Sequence, residues 1–188
     1  ICHYLDLPIQ HGSDAVLKRM GRRTTQAELR SIIGRLREEI PDIALRTTLI
    51  AGFPGETEEQ FGELLEFVKK AKFDKLGTFM YSKEEGTPAS RLPEQIHGNT
   101  KKARYNKIMK AQKQISLEKQ GNKIGKTYKV LAEDISFDGK YFVGRTMQDV
   151  PEEDGVVYIK TNDKNMINKF VKCKITDVSN YDLIGEIQ

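Results

Sequence analysis

Cysteine is scarce: the 188 residues contain only Cys2 and Cys173, 171 positions apart. That spacing makes neither a disulfide framework nor a metal-ligand set, and thiols so sparse fit a reducing cytoplasm. His3, His11 and His97 are scattered without Cys or carboxylate partners at ligand spacing, so none is expected to hold a metal. No apolar run approaches the roughly 18–20 residues of a membrane span, and no charged-then-apolar leader opens the chain. Neither a membrane nor a secreted class is therefore expected. Neither a Gly-x-Gly-x-x-Gly turn nor a Walker loop occurs, which removes the usual phosphate cradles. The first nine residues read as a strand with no initiator Met, the pattern expected of a piece from inside a longer protein.

Charge of one sign is also lacking overall, with 31 Lys and Arg against 27 Asp and Glu for a net of +4. Its distribution is uneven. Residues 101–126 carry nine basic side chains and one acid, Glu118, whereas residues 123–188 carry ten basic and eleven acidic ones. Such asymmetry bears on partners and solubility, not on fold. With 38% hydrophobic and 31% charged residues the chain can build a core, and its length fits one domain with a small satellite.

Strand and helix patterns alternate through the first half. Residues 4–9 read as a strand, His11-Gly12-Ser13 turns the chain, and Ser13 or Asp14 caps a short helix to Met20. Residues 26–39 form a second helix, entered from Thr24 or Thr25, with Leu29, Ile32, Ile33 and Leu36 on one face. Residues 44–51 read as a buried strand. Thr57 and Gln60 make a capping box for a helix that faces Phe61, Leu64, Leu65 and Val68 inward. Residues 75–81 are the next strand. This order predicts parallel strands with helical crossovers, an open α/β sheet or part of a (β/α) barrel.

After a loop at 82–98, a long basic helix at 100–120 carries a narrow stripe of Ile108, Ala111, Ile115 and Leu117, the pattern of a solvated connector. Five short strands follow at 128–132, 141–145, 156–159, 170–178 and 182–187, with a hairpin turn at Asp138-Gly139. They predict a small antiparallel barrel of the OB type. The fold class is thus α/β plus all-β, with domains expected at 1–99 and 123–188 and a connecting helix at 100–122.

Three strand ends carry candidate chemistry. Gln10, in Leu7-Pro8-Ile9-Gln10-His11-Gly12-Ser13-Asp14, sits where a parallel strand ends, the edge at which α/β proteins place ligands. Its amide both donates to and accepts from a ribose diol. Arg22, in Met20-Gly21-Arg22-Arg23, has the fork geometry that clamps a carboxylate. The competing reading is a polar strand end and a solvated arginine. The second end, from Arg46 to Thr57, runs through Ile50-Ala51-Gly52-Phe53-Pro54-Gly55-Glu56. Its glycines allow close approach of a flat ligand and Ile50 can cover an adenine face, although an ordinary turn also uses Gly and Pro. The third is Phe79-Met80-Tyr81-Ser82 followed by Glu85-Gly86-Thr87-Pro88-Ala89, which also reads as a surface loop.

In this order the segments resemble the radical S-adenosylmethionine enzymes, specifically the methylthiotransferases. Leu-Pro-Ile-Gln-His-Gly-Ser-Asp, Leu-Lys-Arg-Met-Gly-Arg, Ile-Ala-Gly-Phe-Pro-Gly-Glu-Thr and Tyr-Ser-x-x-x-Gly-Thr-Pro-Ala carry the resemblance, and the terminal segment is similar to the TRAM domain of that family. The resemblance implies the C-terminal part of a radical SAM partial (β/α) barrel followed by an OB-like TRAM barrel. Within the family the chain is most similar to the branch that adds a methylthio group to an aspartate β-carbon of a small-subunit ribosomal protein. Asp6, His11 and the run from Gly144 to Tyr158 favour that branch. So does a slightly acidic barrel, which suits a basic protein better than RNA phosphates.

The resemblance also implies a site. Gln10 would contact the ribose of S-adenosylmethionine and Arg22 its methionine carboxylate, Ile50 and Gly52 would line the adenine, and the strand end near Met80 would give backbone contacts. The whole enzyme would hold two 4Fe–4S clusters on thiolates. The three-cysteine motif is missing here, so this chain is expected to ligate neither cluster and to be inactive alone. Asp149, Glu152, Glu153 and Asp154 are expected to attract the basic ribosomal substrate. Two alternatives remain. The tRNA-modifying branch would use the basic helix at 101–119 against phosphates, and a non-enzymatic RNA-binding module would need Tyr141, Phe142 and Tyr158 exposed beside lysines.

Overall fold

A computed structural model describes residues 2–161 and 165–188. Two compact units are present: Leu5–Gln112 form one, and Lys113–Gln188 make up most of the other.

In the first unit, strands β1 (Tyr4–Asp6), β2 (Ala44–Ala51) and β3 (Lys75–Met80) form a sheet in the order β1-β2-β3. β2 and β3 run parallel, with Arg46 opposite Lys75 and Ile50 opposite Phe79. β1 stops earlier than the sequence pattern predicts, and Gln10 then rejoins the sheet by a parallel bridge to Leu49. Helices α1 (Asp14–Arg19), α2 (Gln26–Glu39) and α3 (Glu58–Ala71) make the crossovers. α2 and α3 both start at a capping box, Thr25 with Glu28 and Thr57 with Gln60, which satisfies end donors reciprocally. α3 buries Phe61, Leu64, Phe67, Val68 and Ala71. α2 buries Leu29 and Ile33 but leaves Ile32 exposed. β2 is buried on one face only: Leu45, Thr47, Leu49 and Ala51 alternate with half-exposed Arg46, Thr48 and Ile50.

α4 (Gly98–Gly121) corrects the expectation of a solvated connector. Arg104, Gln112, Ser116 and Gln120 are buried along with Ile108 and Ile115, while Leu117 is exposed. Residues 104, 108, 112, 116 and 120 form one four-residue row, so the buried stripe of this helix is mostly polar. A search for apolar periodicity misses such a stripe.

In the second unit, β4 (Thr127–Ile135), β5 (Phe142–Arg145), β6 (Val157–Lys160), β7 (Lys169–Val178) and β8 (Leu183–Ile187) close into a barrel in the order β4-β5-β6-β8-β7. Pairing is antiparallel except between β6 and β8. β8 forms an antiparallel pair with β7 and inserts beside β6, which fixes its direction. The interior holds Val130, Ala132, Phe142, Val157, Ile159, Met166, Cys173, Ile175 and Leu183. Among the described residues, no helix is long and apolar enough to cross a membrane.

Candidate functional site

The C-terminal ends of the three parallel strands lie side by side and bring three of the expected residues together. The Gln10 N–H donates to the Thr48 carbonyl and the Gln10 carbonyl accepts from the Ile50 N–H, both at 2.9 Å. Gln10 has φ +69°, a left-handed conformation uncommon outside glycine, and there the chain leaves the ladder. Its half-buried side-chain amide has no hydrogen-bond partner among the described residues. Ile50 is half-buried, and Ala51 lies opposite exposed Met80.

Beyond β2 the turn from Gly52 to Glu56 is buried throughout. Glu56 organises it. Its Oε2 accepts from the Gly52 N–H at 2.7 Å and the Phe53 N–H at 3.2 Å. Its Oε1 accepts from Arg104 Nη1 at 3.0 Å, and the same guanidinium nitrogen donates to the Glu56 carbonyl at 2.9 Å. His11 completes the cluster: Nδ1 accepts from the Ser13 N–H at 3.0 Å, and Nε2 lies 3.6 Å from Glu56 Oε2. His11, Glu56 and Arg104 are 0%, 2% and 5% exposed. At the outer margin, Arg104 Nη2 and Lys107 Nζ donate to the Glu58 carboxylate, which the Arg104 hydrogen bond chiefly holds below its ordinary pKa.

Gly52 has φ +75°, and the close approach it permits is to Lys101 of α4, whose Cγ would overlap any Cβ added there. Lys101 Nζ donates to the Tyr81 carbonyl at 2.8 Å and stands 4.9 Å from the centre of the Tyr81 ring. The space in front of this glycine is therefore filled by the chain itself. Arg22, exposed beyond α1, donates its backbone N–H to the Leu17 carbonyl, and the structure does not bring its guanidinium together with Gln10 and Ile50.

The acidic run of the second unit divides in two. Asp149 is buried, and its Oδ2 accepts from the Thr146 N–H at 3.0 Å and the Thr146 hydroxyl at 2.6 Å. Asp154 accepts from the Val150 N–H at 3.0 Å. Asp149 is thus no outward-facing charge, which corrects that expectation; the Thr146-x-x-Asp149 spacing was the local signal for a turn-ordering carboxylate. Glu152 and Glu153 are exposed and Asp154 half-buried. The RNA-binding alternative required Tyr141, Phe142 and Tyr158 to be exposed, but Phe142 is buried, and half-buried Tyr141 and Tyr158 meet edge to face at 5.9 Å. Exposed Phe170 instead lies under the Lys129 ammonium at 4.4 Å.

Cys173 sits in the barrel core, where burial, aided by Glu186, pushes its thiol up to about 11. Among the described residues, no group of three or more His, Cys, Asp or Glu side chains could hold a metal ion. Sequence pattern did not single out Glu56, Arg104 or Lys101, although Glu56 lies within the Ile-Ala-Gly-Phe-Pro-Gly-Glu-Thr segment. The four-residue polar row of α4 was the available sign of Arg104.

Comparison with known proteins bears on this geometry. The chain matches the Radical SAM superfamily over residues 1–68 and the TRAM domain over residues 124–187. The ribosomal protein uS12 methylthiotransferase RimO of Alkaliphilus oremlandii is 57% identical over 188 residues, which cover 100% of this chain and 43% of that protein. The protein of the same name from Geobacter sulfurreducens is 52% identical over 188 residues, covering 100% of this chain and 42% of that one. The chain thus spans about two fifths of the length of the curated relatives it matches. Among solved structures, coproporphyrinogen III oxidase (HemN) from Escherichia coli, titled a radical SAM enzyme, aligns with a TM-score of 0.53 at 15% identity. The alignment covers 92% of this chain and 41% of that one, a likeness of fold alone.

Proposed function

This chain belongs to the radical S-adenosylmethionine methylthiotransferases, and we propose that it supplies part of the cofactor wall and the substrate-docking barrel of an enzyme acting on a ribosomal protein. The substrate position is an aspartate β-carbon of a small-subunit ribosomal protein, and the setting is the cytoplasm. Residues 1–99 serve as the C-terminal part of the cofactor barrel, 100–122 as the connecting helix and 123–188 as the TRAM domain.

The observation that carries this reading is the gathering of Gln10, Ile50 and Met80 at one sheet edge. The donor set fits a nucleoside: an uncommitted amide for a diol, a half-buried aliphatic side chain for a flat base, and an exposed strand end beside them. Arg22 clamps the carboxylate, while Gly52, whose front Lys101 fills, shapes the turn beside the base rather than lining it. When bound, S-adenosylmethionine and two 4Fe–4S clusters supply the radical chemistry. This chain's residues hold and orient the nucleoside; cluster ligation needs more thiolates than Cys2 and Cys173 supply. Glu152 and Glu153, with Asp154, face a Lys- and Arg-rich surface of the substrate.

A tRNA substrate is the second reading, favoured by exposed Phe170 with the Lys129 ammonium over its ring, an arrangement that suits a stacked base beside a phosphate. The test uses the full-length, anaerobically reconstituted enzyme with Glu152→Lys and Glu153→Lys combined. Methylthiolation of the ribosomal protein should slow, most strongly at low salt, while cleavage of S-adenosylmethionine without substrate continues. Unchanged methylthiolation with unchanged salt dependence would remove the docking role. Tight tRNA binding by the wild type, with a steep salt slope, would favour the second reading.

A further inference from the structure

A Gly-Phe-Pro-Gly turn needs glycine and proline for its backbone; it does not need a carboxylate, an imidazole and a guanidinium buried against one another. Burying ionisable groups is costly unless they are paired, so their presence behind the strand ends calls for a role. Each comes from a different element. His11 directly follows Gln10 after β1, Glu56 closes the turn after β2, and Arg104 comes from α4.

We propose that His11 and Glu56 are positioning residues that clamp the end of β1 to the turn after β2, holding Gln10 and Ile50 at a fixed separation for one nucleoside ligand. The proposal rests on the cofactor reading above. Gln10 and Gly52 both have left-handed backbone, at φ +69° and +75°. Such a conformation persists at a non-glycine residue only where its surroundings over-determine it. Backbone pairing fixes one side of Gln10, through Thr48 and Ile50. The imidazole of the next residue fixes the other.

With His11 Nδ1 accepting from the Ser13 N–H, the neutral ring carries its proton on Nε2. That nitrogen is buried without a hydrogen-bond partner, and Glu56 Oε2 lies 3.6 Å away. The same oxygen accepts from the Gly52 and Phe53 N–H groups, so one carboxylate atom is bonded to the turn after β2 and lies within 3.6 Å of the imidazole that follows β1. Arg104 supplies the counter-charge through the other oxygen. Side chains thereby continue the β1–β2 connection past the point where the backbone ladder ends.

The test is equilibrium dialysis of S-adenosylhomocysteine against the full-length, cluster-reconstituted protein, with thermal unfolding measured in parallel. Three His11 variants separate its two links. His11→Leu has neither, His11→Asn keeps an acceptor for Ser13, and His11→Gln keeps a donor directed at Glu56. His11→Leu, His11→Asn and Glu56→Gln should each weaken binding about tenfold, and His11→Gln should stay within about twofold of the wild type. Combining His11→Leu with Glu56→Gln should cost no more than the worse single change, because both break one unit. A merely structural role would lower the melting temperature of all of them and leave the affinity of the folded protein unchanged. If His11→Leu does not fold, Glu56→Gln carries the same criterion. Wild-type affinity in a folded variant that lacks the donor, or strictly additive losses, would overturn the clamp. A wild type that binds no S-adenosylhomocysteine would overturn the cofactor reading and the clamp with it.

Discussion

In the α/β unit, three ionisable side chains, His11, Glu56 and Arg104, are buried together beside the strand ends, whereas the barrel fills its interior with Val130, Ala132, Val157, Ile159, Cys173, Ile175 and Leu183. The buried carboxylate of the barrel unit, Asp149, answers a neighbouring threonine and orders its own loop. Glu56 instead reaches a residue 48 positions away. An apolar interior stabilises through area removed from water and tolerates small shifts. A buried charge cluster contributes less net stability but penalises every displacement, because a lost contact leaves a desolvated charge. The α/β unit therefore fixes positions through buried charge, and the barrel is held by buried apolar area.

The comparison breaks most visibly at Glu56. Glu56→Ala would strand the Arg104 guanidinium and two backbone N–H donors, at a cost of about 3–5 kcal/mol. Amide hydrogen exchange should then show protection lost across β2 and α3 and retained in β7. Retained protection in β2 would mean that the cluster does not support the strand ends.

The barrel counterpart is Gly185, which lies opposite Ile175 in the β7–β8 pair. A Cβ there would come within 2.6 Å of both Cys173 Sγ and the Lys174 carbonyl oxygen. The thiol can shift but the backbone cannot, so Gly185→Ala should cost about 1–3 kcal/mol through overpacking. Exchange protection should fall in β7 and β8. A neutral result would show that the apolar interior yields more readily than its glycine contacts suggest.

The same contrast explains what was legible from sequence. α2 and β2 occupy the expected ranges because their signals are local: a 3.6-residue apolar period bounded by a cap, and a run of β-branched residues bounded by turns. The five barrel strands were visible from alternation and from the Asp138-Gly139 turn. The parallel pairing of β6 with β8 was not, because turn chemistry specifies neighbours along the chain and not which strand inserts between two others. Gln10, Ile50 and Met80 were placed at strand ends by pattern. Glu56 and Arg104 depend on two segments meeting in space, and a lysine-rich helix with a polar buried row resembles a solvated one until it is packed.

The smallest expected effect asks whether the contrast reaches the surface. Glu58, 69% exposed at the edge of the cluster, has its carboxyl held below the ordinary range, chiefly by its hydrogen bond from Arg104 and then by Lys107. In the barrel, Asp138 is lowered by the Ser136 hydroxyl and the Lys140 N–H. For both groups the folded pKa lies below the unfolded one. Their stabilisation is therefore present above the unfolded pKa and lost as pH falls through the folded value. Solvent screening limits the Glu58 share to about 0.2–1 kcal/mol. Thermal unfolding across an acid titration should show Glu58→Gln slightly less stable than the wild type near neutral pH and equal to it once the wild-type carboxyl is protonated. Asp138→Asn should follow the same course. If only Glu58→Gln shows the convergence, the buried cluster extends its influence to the surface of the α/β unit; if both do, the difference between the two units is confined to their interiors.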